Sequence, residues 1–219
     1  MEVVIFLICI FISSFLLFVF SRHDFVLLRQ NISLAQIFDL AIFVVIFAFL
    51  GGRIFFILNN FDVQLLHVLR FFHVLKFPGI SSLGFALGGA LTVVIFFGKK
   101  KAVGRILDIF SISFFPLYLF SVFDTKYQNN LIFIPIAFVI LSISMFAFFI
   151  KSHNKYILRD GNIALIFLGM ISLNSLFSSL FDQKGNLVLN PSFILLSSII
   201  FLLFSFVYLF ARQKGKAHK

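Results

Sequence analysis

The chemistry open to this chain rests on a few polar side chains set in apolar sequence. Arg53 closes the run Phe49-Leu50-Gly51-Gly52-Arg53, and Ser81 and Ser82 open a stretch that continues to Gly84, Gly88 and Gly89. Asn174 stands among Ser172, Ser175, Ser178 and Ser179. A guanidinium is a planar fork of donors matched to phosphate, so Arg53 at membrane depth reads either as an anion site or as a side chain snorkelling to the headgroups. The stripe around Asn174 reads as interhelical hydrogen bonding or as the wall of a wet cavity. Asp39 and Arg53 sit on one apolar run, about 21 Å apart along a helix and about 40° apart around it, so they share a face but cannot pair. Asp108 follows Arg105 at the start of an apolar run, where an acid favours the helix dipole, a structural role. Gly84 and Gly88 form a small-xxx-small pair, the usual mark of close helix packing.

A second polar group lies between 59 and 78, where His67, Arg70, His73 and Lys76 interleave with Phe61, Leu65, Leu69 and Phe72. That pattern suits a helix lying in the headgroup region, either as an anchor for the bundle or with His and Arg meeting anionic lipid headgroups. No histidine falls inside an expected span. The single cysteine, Cys9, excludes an intrachain disulfide and a thiolate metal cluster, and neither a metal nor a cofactor is expected. Ile8 precedes it where a bacterial lipobox needs a small side chain, so Cys9 is not read as a lipidation site.

These residues must be positioned by membrane helices. Of 219 residues 61% are apolar, 37 of them Phe, against 18 Lys and Arg and 8 Asp and Glu, more apolar surface than a water-soluble domain of this length can hide; the mean hydropathy is +1.12. Apolar runs fall near 3–20, 34–58, 80–98, 106–123, 131–150, 161–181 and 192–211. Each is about the roughly 20 residues a spanning helix needs and unlike the roughly ten-residue alternating segments of a barrel. The expectation is an all-α polytopic membrane protein, one domain over 1–219 with seven transmembrane helices. The first run follows Met1-Glu2 with no basic segment and reads as a retained span rather than a secretory signal. Arg22, Arg29, Lys99, Lys100, Lys101, Arg105, Lys151, Lys155, Arg159, Arg212, Lys214, Lys216 and Lys219 gather on one side, against Arg70, Lys76, Lys126 and Lys184 on the other. The positive-inside rule then puts the N-terminus outside and the C-terminus in the cytoplasm. It also accounts for the net charge of +10 without a nucleic-acid partner.

The stretch Phe49-Leu50-Gly51-Gly52-Arg53-Ile54, then Gly79-Ile80-Ser81 opening a glycine-rich run, then the basic cluster Lys99 to Arg105 with Asp108, resembles the front half of bacterial prolipoprotein diacylglyceryl transferase. Arg159-Asp160-Gly161 resembles the family's basic-Pro-Gly approach to its penultimate helix. The resemblance implies a bacterial inner-membrane enzyme that moves diacylglyceryl from phosphatidylglycerol to the cysteine of a lipoprotein precursor, releasing glycerol phosphate. Such chemistry needs an anion site for the leaving group and a thiolate nucleophile. It further implies a lipid-phosphate or cavity site at Gly52, Arg53, Ser81 and Asn174, which a divergent transferase would rebuild with His67, Arg70 or His73 from the segment between 59 and 78. The chain departs from the family where Leu83 takes a histidine's place, where Leu117 to Asp124 holds neither Arg nor Asn, and where the sixth run lacks an arginine and a glutamate. No catalytic residue is assigned. The alternative is a non-catalytic lipid- or partner-binding protein that kept the transferase fold.

Overall fold

In sequence this poor in charge the backbone must satisfy its own N–H and C=O groups, and the chain does so with helices. The computed structural model describes residues 2–22, 24–60, 80–98, 102–124, 133–155, 157–180 and 193–214, and every regular element among them is helical. In chain order these are α1 (Glu2–Arg22), α2 (Phe25–Arg29), α3 (Leu34–Asn60), α4 (Ser82–Phe97), α5 (Val103–Ser113), α6 (Phe115–Asp124), α7 (Phe133–Asn154), α8 (Asn162–Leu180) and α9 (Phe193–Lys214). Among the described residues three helices are long and apolar enough to cross a membrane, over Leu34–Leu58, Ile136–Asn154 and Asn162–Ser179. Shorter apolar helices run over Leu7–Arg22, Ser82–Phe97 and Phe193–Leu209.

Six of the seven expected runs coincide with single helices to within a few residues. The fourth does not. The run 106–123 is two helices, broken at Phe114, because Pro116 has no N–H to return to the carbonyl of Ile112 and its ring crowds that carbonyl. Phe114 closes α5 by donating its backbone N–H to the Phe110 carbonyl at 2.9 Å, and its own carbonyl accepts from Tyr118 N at 3.3 Å as α6 begins. The five-residue α2 is also absent from the sequence reading. Asp24 caps it, accepting from the backbone N–H groups of Val26 at 2.9 Å and Leu27 at 3.1 Å.

The most extensive packing is of α3 against α4 and of α8 against α9, while α5 lies at the centre and touches α1, α4, α7 and α8. One core cluster gathers Leu17, Leu27, Ile37, Leu40, Val93 and Ile106 from the first five helices. The other centres on Phe115, whose ring meets those of Tyr118, Phe146, Phe149 and Phe167 at centroid distances of 5.0 to 5.9 Å. The outward faces are apolar too, with Phe11, Ile42, Ile95, Ile140 and Phe206 exposed. Exposed apolar side chains on so many helices suit lipid rather than water.

Candidate functional site

The residues singled out on α3 and α4 meet at a crossing made of glycines. A methyl group on Gly51 would lie 2.6 Å from the carbonyl oxygen of Gly84, and one on Gly84 would lie 2.5 Å from Cβ of Phe55. One on Gly88 would run into the Phe47 carbonyl. The backbones therefore touch, as the small-xxx-small spacing leads one to expect. Farther along the same contact the chain entering α4 docks on α3, where Ser81 N donates to the Gly52 carbonyl at 3.1 Å. Ser81 is the N-cap of α4, in extended conformation with its Oγ accepting from Gly84 N at 3.4 Å. Gly52 permits that approach, since a methyl there would strike Ile80 at 2.5 Å.

Arg53 follows Gly52 directly. It is wholly enclosed by protein, at 0% exposure, with its guanidinium carbon 5.7 Å from the centre of the Phe56 ring. The crossing thus places Arg53 one residue after the α3 carbonyl that receives the chain entering α4, whose first backbone N–H groups carry the positive end of the helix dipole.

The polar stripe of α8 resolves into two kinds of residue. Ser172, Ser178 and Ser179 return their hydroxyls to carbonyls of their own helix, those of Leu168, Ser175 and Leu176. Ser175 instead reaches across to Ser82, Oγ to Oγ at 3.3 Å. Its neighbour Asn174 is buried, with an Oδ1 that accepts no hydrogen bond from any described residue. Ser82 follows Ser81, so Gly52, Arg53 and Ser81 are linked through Ser82 and Ser175 to Asn174 by bonds and chain neighbours. Leu83 is 1% exposed and belongs to the second core cluster. His67, Arg70 and His73 lie outside the described residues, and among the described residues no group of His, Cys, Asp and Glu could hold a metal.

A second polar centre, which the sequence reading missed, lies where the chain ends and starts of several helices meet. Arg105, counted above among loop cations, is buried in α5 and donates Nε–H to Asp24 Oδ2 at 2.6 Å. Its NH2 group meets His153 Nε2 at 3.1 Å and donates to the His153 carbonyl at 3.2 Å, and NH1 lies 3.8 Å from Asp160. His153 corrects the expectation that no histidine falls within a span, for it sits buried in the last turn of α7. Asp108 is a further correction. Because α5 starts at Val103, this residue stands in the second turn, too far along to serve its own helix end. Its carboxylate instead accepts from Gly161 N at 2.7 Å and Ala164 N at 2.9 Å, capping the start of α8. Gly161 has φ 90°, a conformation that only glycine adopts at little cost. A methyl on Gly104 would meet the backbone of Asp160 at 2.9 Å, so α5 and the start of α8 form one tight joint. Each buried charge here has partners, which makes the centre a clasp: such pairs add little net stability but are costly to break on one side.

Beside this geometry stand the comparisons with known proteins. The family model described as prolipoprotein diacylglyceryl transferase matches residues 1–121, just over half of the chain, covering α1 to α5 and most of α6. No curated protein and no solved structure matches.

Proposed function

The chain belongs to the prolipoprotein diacylglyceryl transferase family, and we propose on that footing that it transfers the diacylglyceryl group of phosphatidylglycerol to the cysteine of a lipoprotein precursor in a bacterial cytoplasmic membrane. The cysteine sulfur, as thiolate, forms a bond to the terminal glyceryl carbon of the lipid. The bond from that carbon to the phosphate oxygen breaks, and glycerol phosphate leaves with the electron pair. The leaving phosphate is the group a cation must stabilise, and a donor held in a water-excluded site acts most strongly as charge builds there.

The observation that carries the reading is Arg53, buried in α3 directly after Gly52, whose carbonyl accepts from Ser81 N at the start of α4. Gly52, Arg53 and Ser81 form the phosphate site, and His67, Arg70 and His73 contact lipid headgroups. The protein crosses the membrane seven times, with its N-terminus outside, its C-terminus in the cytoplasm and the Arg53 site toward the outer face. That orientation is supported by the distribution of Lys and Arg, and by the clasp that joins the ends of α1 and α7 to the starts of α5 and α8.

One observation favours a second reading, a lipid-binding protein that kept the fold without the reaction: the family's histidine position holds Leu83, and its side chain is committed to the core. Complementation of a strain depleted of its own transferase separates the two. Wild type should restore growth and leave a thioether-linked diacylglyceryl on a reporter lipoprotein. Arg53→Ala should not, and neither should Arg53→Lys, because an ammonium is a point charge that cannot donate two parallel hydrogen bonds to phosphate. Growth restored equally by all three removes the anion site; failure of wild type leaves the non-catalytic reading.

A further inference from the structure

We propose that the outward face of α3, headed by Asp39 and widened by α4, docks a single apolar helix with basic residues at its cytoplasmic end, the leader segment of the precursor. The inference rests on the transferase reading and on the seven-span orientation, and adds to them a place for the protein substrate. Asp39 lies about a turn and a half into α3 and is exposed. Ile42, Phe43 and Ile46, three, four and seven residues farther on, are exposed as well, so the carboxylate shares one stripe with them. The stripe extends onto α4, where the Phe96 ring stacks on that of Phe43 at 5.0 Å and Ile95 is exposed. Lipid tails suit the apolar part of this surface but not the carboxylate, whose short stem does not snorkel as a lysine does.

Charge and length name the occupant. Of the acids on the cytoplasmic side in that orientation, Asp24 holds Arg105, Asp108 caps α8 and Asp160 lies 3.8 Å from Arg105. Asp39 makes no ion pair with any described residue. It offers a basic segment an attractive point on a side otherwise rich in Lys and Arg. A leader carries such a basic segment, followed by about 7–15 apolar residues. From Asp39 to Arg53 the helix rises about 21 Å, the height of about 14 helical residues of a leader lying alongside. With its basic end at Asp39, the leader brings the cysteine that follows its apolar segment to the level of Arg53. A second copy of the chain fits less well. Two copies stand parallel in a membrane, so two-fold pairing of this stripe would set one Asp39 at the depth of the other, and like charges oppose it.

The test uses the full-length protein in phosphatidylcholine nanodiscs, whose surface carries no net charge to collect basic peptides. The probe is a fluorescent precursor peptide with two lysines ahead of its apolar segment, or with two glutamates in their place. Wild type should bind the lysine peptide more tightly by about three- to tenfold, between the worth of an exposed ion pair and that of a charge-assisted hydrogen bond. Asp39→Asn should bring the ratio near one, and Asp39→Lys should reverse it. A photoreactive side chain in place of Ile42 should cross-link to the lysine peptide, and one in place of the equally exposed Ile140 on α7 should not. That second readout keeps the carboxylate and stands even where Asp39→Lys fails to fold. Equal binding of the two peptides by wild type, a ratio unchanged by Asp39→Asn, or cross-linking at Ile42 to another copy of the chain instead of the peptide overturns the assignment. Charge-dependent binding without any thioether product would count against the transferase reading and leave the docking surface standing; thioether product with equal binding of the two peptides would do the reverse.

Discussion

The glycine crossing of α3 and α4 yields a graded prediction. Gly51→Ala puts a methyl 2.6 Å from the Gly84 carbonyl oxygen and 3.1 Å from the Gly88 Cα. The first distance is about 0.7 Å short of the roughly 3.3 Å at which carbon and a carbonyl oxygen ordinarily meet. Both obstacles are backbone atoms of a helix and cannot swing aside, so α4 must separate from α3. Gly89→Ala is the control, because its methyl meets only Val44 Cγ1 at 3.3 Å and Ala48 Cβ at 3.7 Å. Both substitutions gain about 0.8 to 1.0 kcal/mol of helix propensity. Overpacking costs about 1–3 kcal/mol and falls chiefly on Gly51, whose methyl meets backbone, whereas at Gly89 the neighbour at 3.3 Å is a side-chain methyl that need give by only a few tenths of an ångström. Gly51→Ala should therefore be less stable than Gly89→Ala by about 1–3 kcal/mol, with Gly89→Ala close to wild type. Unfolding in mixed micelles of rising SDS content, followed by circular dichroism, measures the difference. The same strain separates Ser81 from the Gly52 carbonyl next to Arg53, so Gly51→Ala should also lose reporter modification while Gly89→Ala keeps it. Equal stability and equal activity of the two variants would refute the crossing as described.

Three further outcomes follow from the other contacts. Arg105→Met leaves the fully buried Asp24 carboxylate without its cation and should cost about 3–5 kcal/mol, while Asp24→Asn combined with Arg105→Met should recover much of the loss in the same unfolding assay. Asp108→Ala removes a cap on two backbone N–H groups of α8 and should cost about 1–2 kcal/mol, with Asp108→Asn, which keeps one acceptor, losing less. Reporter fusions after Lys101, Lys155 and Lys219 should report cytoplasm and those within 62–76, 125–129 and 183–189 the outside; a cytoplasmic signal from 62–76 would discard the proposed seven-span plan.

Local pattern carried the helices and the crossing. An apolar run long enough to span leaves the backbone little choice but a helix, and Gly84 and Gly88 announce a close neighbour by their spacing alone. The break at Phe114 had its signal in Pro116, masked by hydropathy that continues unbroken across it. The clasp could not be read, because its partners Asp24, Arg105 and His153 are separated by 81 and 48 residues and each has an ordinary local explanation as a loop charge or a helix-end cation. Asp108 was legible as a helix-terminal acid but not as serving α8, which requires knowing that α5 lies against Gly161. Arg53 stood out by rarity, yet its enclosure depends on neighbours that only the fold supplies. The stripe on α8 was visible as composition, and the structure separates the serines that serve their own helix from Ser175 and Asn174.

The central claim, diacylglyceryl transfer supported by Arg53, is tested most directly with purified protein in phosphatidylglycerol nanodiscs and a precursor peptide bearing one cysteine. Intact-mass analysis of the peptide and assay of released glycerol phosphate give both products of the same bond exchange. The account predicts a diacylglyceryl thioether on the peptide and an equal amount of glycerol phosphate from wild type, and neither from Arg53→Ala. An unmodified peptide, in nanodiscs where phosphatidylglycerol is shown to be bound, would contradict it.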